Sequence, residues 1–289
     1  MHSNEVTLGY HILFYFFLSG TAGGAFIWST LLTLFSTEKK LDKLVLYEAI
    51  ASLLCLGVGA LALFTDLGHM ERAWRLGMIP LLNPTSAVAW GSVFIPAHFC
   101  MLVLYIYSLI TKKARLARIV SYAGLLIATM LVTYTGFLLS VCKGFPLWNS
   151  AILVPVFFAS ACLSGLGFLF LIGFGFKILS AEDNLVVLLR KVLLLLIIID
   201  GFVFTDYYVL YTGFVEAHEV AKYILLGPLA FLFWVGEVFL GFLAPIAILI
   251  SPLGKTKRGL VIASVLAVLG VFVMRYIIVI GGQMISVSR

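Results

Sequence analysis

The chain has 289 residues, 63% of them hydrophobic and only 11% charged, with a formal net charge of +6 and a mean hydropathy of +1.15. Soluble domains are close to half apolar, so this excess excludes a water-soluble globular fold and reads as an all-α integral membrane protein. Nucleic acid is excluded as a partner with it, because the positive balance is what basic loops on one side of a membrane produce.

Eight hydrophobic runs follow one another, roughly at 9–35, 44–65, 87–110, 117–140, 151–179, 185–212, 222–250 and 259–282. Several are long enough to span a bilayer with some tilt. No charged segment precedes the first run, so no cleaved leader is expected, and the loops are too short for a separate soluble domain. Thirteen Lys and Arg residues fall in the loops after runs one, three, five and seven, against five on the other side (Arg72, Arg75, Lys143, Lys222 and Arg289). The positive-inside rule then places both termini outside.

Taken in order, run one carries His11 and Tyr15 near its outer end and then Gly20, Gly23 and Gly24, small residues suited to close helix packing. Run two ends at Thr65-Asp66 and opens the longest loop, 66–86. Asp66, His69 and Arg72 are spaced by three, which puts them on one face of a helical turn. A carboxylate there can orient an imidazole for proton exchange, or His69 is simply an interfacial residue paired with Asp66. Glu71 to Leu76 could form a short interfacial helix with Trp74 at headgroup depth. Run three contains His98. The five histidines do not form facing pairs within the spans, so no haem is expected. Run four ends at Tyr134-Thr135-Gly136. Tyr134 is either an aromatic-belt residue or a hydroxyl donor to a ligand, with Gly136 letting a flat ring approach. The four cysteines form no C-x-x-C pair, so neither a metal nor an Fe–S cluster is expected in this protein.

The later runs carry charge in hydrocarbon. Asp200 and Asp206 lie in run six, Glu237 in run seven and Arg275 in run eight. Each costs about 2.5–3.5 kcal/mol on insertion scales and needs a reason. Either Arg275 pairs with Asp206 or another acid and joins helices, or these groups form a proton path. Phe16 to Ser19 resembles Phe157 to Ser160 at an offset of 141, and Thr65-Asp66 resembles Thr205-Asp206 at 140. Duplication and coincidence account for these short matches equally well. If duplicated, the protein is two parallel four-helix halves, at 1–145 and 146–289.

Several segments in order resemble the polysulphide-reductase membrane-subunit family of the NrfD type. They are Phe17-Leu18-Ser19-Gly20-Thr21-Ala22-Gly23-Gly24, the stretch from Asp66-Leu67-Gly68-His69 to Arg75, Asn83-Pro84-Thr85-Ser86 with Trp90-Gly91-Ser92, and Tyr134-Thr135-Gly136-Phe137-Leu138-Leu139-Ser140 with Pro146-Leu147-Trp148-Asn149. Arg275-Tyr276 and Gly281-Gly282-Gln283 close the series. Met70 stands where the family often has Pro. The resemblance implies eight transmembrane helices in two four-helix bundles, in a bacterial or archaeal cytoplasmic membrane. It implies menaquinone or ubiquinone as cofactor, bound near the outer face by His69, Asp66, Arg72 and Tyr134, with His11 and Tyr15 as lining. It also implies a docked ferredoxin-like Fe–S subunit and a molybdopterin catalytic subunit on the outer side, so that this protein on its own catalyses no net reaction. The competing reading is a secondary transporter that couples ions through Asp200, Glu237 and Arg275.

Overall fold

The computed structural model describes residues 8–36, 38–66 and 86–283, and among these every regular element is helical. Helix α1 is Tyr10–Phe35 and α2 is Asp42–Asp66, entered through a single 3₁₀ turn at Lys39–Leu41. Then come α3, Ala87–Ile110, α4, Ala114–Ser140, and α5, Leu153–Gly175. Helix α3 continues through Pro96, which membrane helices tolerate because neighbours satisfy the freed carbonyl. Next are α6, Asn184–Asp200, α7, Val203–Tyr211, and α8, Val215–Leu225. A π-helical segment, Leu232–Leu243, runs into α9, Ala244–Ile250. Finally, α10, Lys257–Val279, starts at Thr256, whose side chain accepts a hydrogen bond from the Gly259 amide. This is a multi-pass membrane protein, with seven helices long and apolar enough to cross a bilayer among the described residues.

The expected sixth span, 185–212, is the exception. It divides at Asp200-Gly201-Phe202 into α6 and α7, of 17 and 9 residues. Across the division the amides of Phe202, Phe204 and Thr205 bond back three residues, to Ile199, Gly201 and Phe202. This is the tighter 3₁₀ spacing, which inside a helix marks a hinge or a strained sequence. Gly201 allows it to pack closely: a Cβ there would lie 2.5 Å from the Phe242 ring.

Helices α1 and α5 form the centre. They run parallel and meet backbone to backbone, since a Cβ on Gly24 would overlap the Ala161 carbonyl and one on Gly165 would overlap the Gly24 carbonyl. Only glycine permits that approach. The Thr21 hydroxyl donates to Ser164 at 3.1 Å, and the Trp28 indole to the Cys162 carbonyl at 2.8 Å. The two buried apolar clusters both draw on α1, α5 and α10.

The two ends of the described protein also meet. Gln283 accepts from the Leu8 amide at 2.8 Å and donates to the Leu8 carbonyl at 2.9 Å. Trp148 lies against Gly282 and donates to the Ile278 carbonyl at 2.7 Å. Leu8, the last turn of α2, the first turn of α3 and the last turn of α4 thus share one end of the bundle.

Candidate functional site

The groups singled out in the sequence fall at two depths. Near the end of the bundle that carries Leu8, α3, α4 and α5 leave a cavity of about 400 Å³. Its walls are Trp90 and Phe94 of α3, Met130, Thr133, Tyr134 and Phe137 of α4, and Val154 of α5. Trp90 stacks on Phe94 at 5.8 Å, and Phe94 meets the Tyr134 ring edge-on at 5.9 Å. The volume falls in the usual range for small-molecule sites, about 300–1,000 Å³.

Tyr134 is turned inward and 7% exposed. Its hydroxyl rests on Gly91, where a Cβ would collide with it. Gly91 is therefore the glycine that admits the hydroxyl. Gly136, expected to receive a ring, serves instead the close pass of α5, since a Cβ there would lie 2.6 Å from the Leu153 carbonyl oxygen. Tyr15 of α1 is buried and interacts electrostatically with Tyr134. The Tyr15 hydroxyl lies beside the Ser19 side chain but makes no hydrogen bond of good geometry among the described residues. A buried unpaired hydroxyl costs about 1–3 kcal/mol, and a polar ligand group would recover that cost. His11 lies at the exposed start of α1. Asp66 closes α2, while His69, Arg72, Trp74 and the expected interfacial helix lie outside the described residues.

The second locus is deeper. Arg275 is fully buried. Its guanidinium donates to the Phe16 carbonyl, to Ser160 Oγ at 3.0 Å and to the Phe157 carbonyl at 3.4 Å. It also lies 4.8 Å from the centre of the Phe157 ring, and it occupies the space that Gly20 leaves. Phe16 and Phe157, equivalent at the offset of 141, thus present their carbonyls to one cation. Arg275 forms no ion pair with Asp206 among the described residues; the carboxylate whose charge acts on it is Asp200, at the α6–α7 division. Glu237 sits in the π-helical segment and accepts from the Tyr207 hydroxyl at 3.5 Å. Asp200 and Glu237 share a cavity of about 10 Å³ with Gly241 and Gly270, close to the least that one water needs. Asp206 stands on the first turn of α7 with one carboxylate oxygen unpaired among the described residues.

Two buried polar residues escape a reading by residue type or are left by it without a role. Glu48 of α2 is fully buried with neither oxygen bonded, and His98 of α3 is fully buried with neither ring nitrogen bonded, among the described residues. His98 meets the Phe26 ring edge-on at 5.1 Å. The signal for Glu48 is present in the sequence: Leu44, Val45, Glu48, Ala49, Ser52 and Leu56 recur at helical spacing and form the inward stripe of α2.

Comparison with known families matches residues 1–287 to the family described as polysulphide reductase, NrfD. The protein belongs to the polysulphide reductase NrfD family. Among its relatives is the C component of the polysulfide reductase of Wolinella succinogenes, 28% identical over 97% of the present sequence and 95% of that protein. The C component of the selenate reductase of Mesobacillus selenatarsenatis is 26% identical over 94% of the present sequence and 73% of its own. An Hdr-like menaquinol oxidoreductase integral membrane subunit of Archaeoglobus fulgidus is 25% identical over 91% and 68%. In this NrfD-family protein, the segments noted at Tyr134, Trp148, Arg275 and Gln283 are the ones that line the cavity, anchor α10 and fasten Leu8. Among the described residues no three His, Cys, Asp or Glu side chains converge as metal ligands.

Proposed function

We propose that this NrfD-family protein is the quinone-reactive membrane subunit of a respiratory oxidoreductase complex. Membership of a family whose relatives are named as parts of polysulfide and selenate reductases and of a menaquinol oxidoreductase supports the class. The observation that carries the site is the aromatic-walled cavity at Tyr134, with the unpaired Tyr15 hydroxyl behind it. Trp90 and Phe94 offer faces to a flat ring, Gly91 admits the Tyr134 hydroxyl, and the two tyrosines offer donors to head-group oxygens. A bound menaquinone or ubiquinone supplies the two-electron chemistry. His69, oriented by Asp66, exchanges the protons, while Arg72 and His11 complete the polar rim.

Both termini lie outside in this reading, and α6 with α7 makes the eighth crossing, giving two four-helix halves at 1–145 and 146–289. The Leu8–Gln283 contact supports an even number of crossings, because it holds both ends at one side. A ferredoxin-like Fe–S subunit docks outside, beside residues 66–86, and passes electrons to or from a molybdopterin catalytic subunit. The membrane is the cytoplasmic membrane of a bacterium or archaeon. Asp200, Asp206, Glu237 and Arg275 are the proposed proton path.

The test is quinol turnover in the assembled complex. Tyr134→Phe is expected to lower it about 10- to 100-fold, the worth of one hydrogen bond to a group gaining charge, with assembly unchanged. Full-rate turnover by both Tyr134→Phe and His69→Ala would sink the site. The helix division at Asp200 also favours a second reading, a secondary transporter, since discontinuous helices build transport sites. Isolation of the protein as a lone homo-oligomer, without Fe–S and catalytic subunits, would decide for it.

A further inference from the structure

A second cavity, of about 780 Å³, stands apart from the aromatic one. It lies at the opposite end of the bundle, where the last turns of α1 and α3 and the first turns of α2 and α4 spread apart. Its floor is apolar, formed by Leu32, Leu41, Val45, Leu46, Leu109 and Ala117. Its rim carries Lys39, Lys43, Lys112 and Arg118 against Glu38 and Asp42, an excess of two positive charges. Glu38 is already engaged by Lys40 at 3.3 Å. None of the four rim cations has a hydrogen bond or ion pair among the described residues. Helix α4 begins beside them without a side-chain cap, so its first amides add to the attraction for an anion. Ile110, on the rim, is 62% exposed, and in a bilayer that surface faces lipid tails.

We propose that this cavity binds one anionic phospholipid, with the phosphodiester among Lys39, Lys43, Lys112 and Arg118 and an acyl tail along the floor. A soluble anion would leave the apolar floor unused, and a zwitterionic lipid, though it carries the same phosphodiester, would bring its own ammonium among the rim cations. Basic pockets between membrane helices select acidic headgroups in this way. The site needs only that this end of α1–α4 lies at headgroup depth, so it stands apart from the quinone reading.

The backbone provides a clean variant. Lys112 holds φ at 54°, in the left-handed region that glycine enters at less cost. Lys112→Gly therefore removes a charge without straining the fold, and Lys43→Gln removes a second. Phosphatidylglycerol and phosphatidylcholine would each be titrated into the purified full-length protein in detergent and bound copies counted by native mass spectrometry. The native protein is expected to bind one phosphatidylglycerol at least about tenfold tighter than phosphatidylcholine. Lys43→Gln/Lys112→Gly is expected to bring the two lipids within about twofold. The control pair Lys255→Gln/Arg258→Gln, which removes as much charge from the turn before α10 and the first turn of α10, keeps the preference. The same preference in the Lys43→Gln/Lys112→Gly protein as in the native one would overturn the proposal. So would displacement of phosphatidylglycerol by equal inorganic phosphate, which marks a soluble anion site, or by equal menaquinone, which marks a second quinone site.

Discussion

Arg275 holds a charge in the middle of the molecule, and three oxygens from α1 and α5 receive it. Two carbonyls and the Ser160 hydroxyl accept from its terminal nitrogens while Nε has no partner among the described residues; none of these oxygens carries a net charge, and Asp200 supplies that part. Removing one member of a buried pair costs about 3–5 kcal/mol, whereas replacing both by apolar or neutral groups costs far less. Arg275→Met is therefore expected to lower thermal stability in detergent sharply, Asp200→Asn less, and the double variant to regain part of the loss. A coupling between about 0.5 and 3 kcal/mol in this cycle is the expected result; additive losses would show that Asp200 does not sense the guanidinium. The need for a partner is legible in the sequence, because a charge inside an apolar run must be met. The identity of the partner is not, because carbonyls of α1 and α5 are invisible to residue type. Glu48 escapes for a related reason. It lies four residues inside a run that begins with basic loop residues, and proximity to that loop disguises a fully buried carboxylate.

At the scale of elements, the glycines divide by what stands opposite them. Gly24 of α1 faces the backbone of Ala161, while Gly57 of α2 has nothing within 4 Å. Gly24→Ala must push α1 from α5 and is expected to cost about 1–3 kcal/mol or more. Gly57→Ala has only the helix propensity of alanine to gain, up to about 1 kcal/mol. Chemical or thermal unfolding of the two single variants checks the contrast, and equal effects would contradict the backbone-to-backbone crossing. Long apolar helices are readable from run length alone. The division of the sixth run is not, because Leu-Leu-Ile-Ile-Ile-Asp-Gly-Phe-Val-Phe keeps its hydropathy through the turn. What breaks there is hydrogen-bond spacing, to which hydropathy is blind. Likewise, the aromatic cavity combines residues from three helices, and of these only Tyr134 stands out in the sequence as a ligand candidate.

Over the whole molecule, two contacts fix how the fold closes. Gln283 fastens Leu8 across 275 residues of sequence, and Lys40 at the opposite end bonds Asp183 at 3.0 Å, tying the α1–α2 loop to the start of α6. The Ser180 amide and then Lys40 hold the Asp183 carboxyl below its usual range. The bond is exposed and contributes little to stability. Gln283→Leu removes both bonds to Leu8, each worth about 0.5–1.5 kcal/mol. Its expected result is faster hydrogen exchange at the Leu8 amide, by about tenfold, with exchange in α5 unchanged. An unaltered Leu8 rate would mean that other contacts hold this end of α1.

The crossing of α1 with α5 and α10 also sets an order in time. Helix α1 is made before α10: Arg275, which bonds the Phe16 carbonyl, lies 259 residues later. At about 5–20 residues per second, that partner is synthesised roughly 13–52 s after Phe16. For that interval the space at Gly20, which Arg275 comes to fill, must wait beside lipid or the insertion machinery. A helix made well before its partners is thus among the last to finish folding.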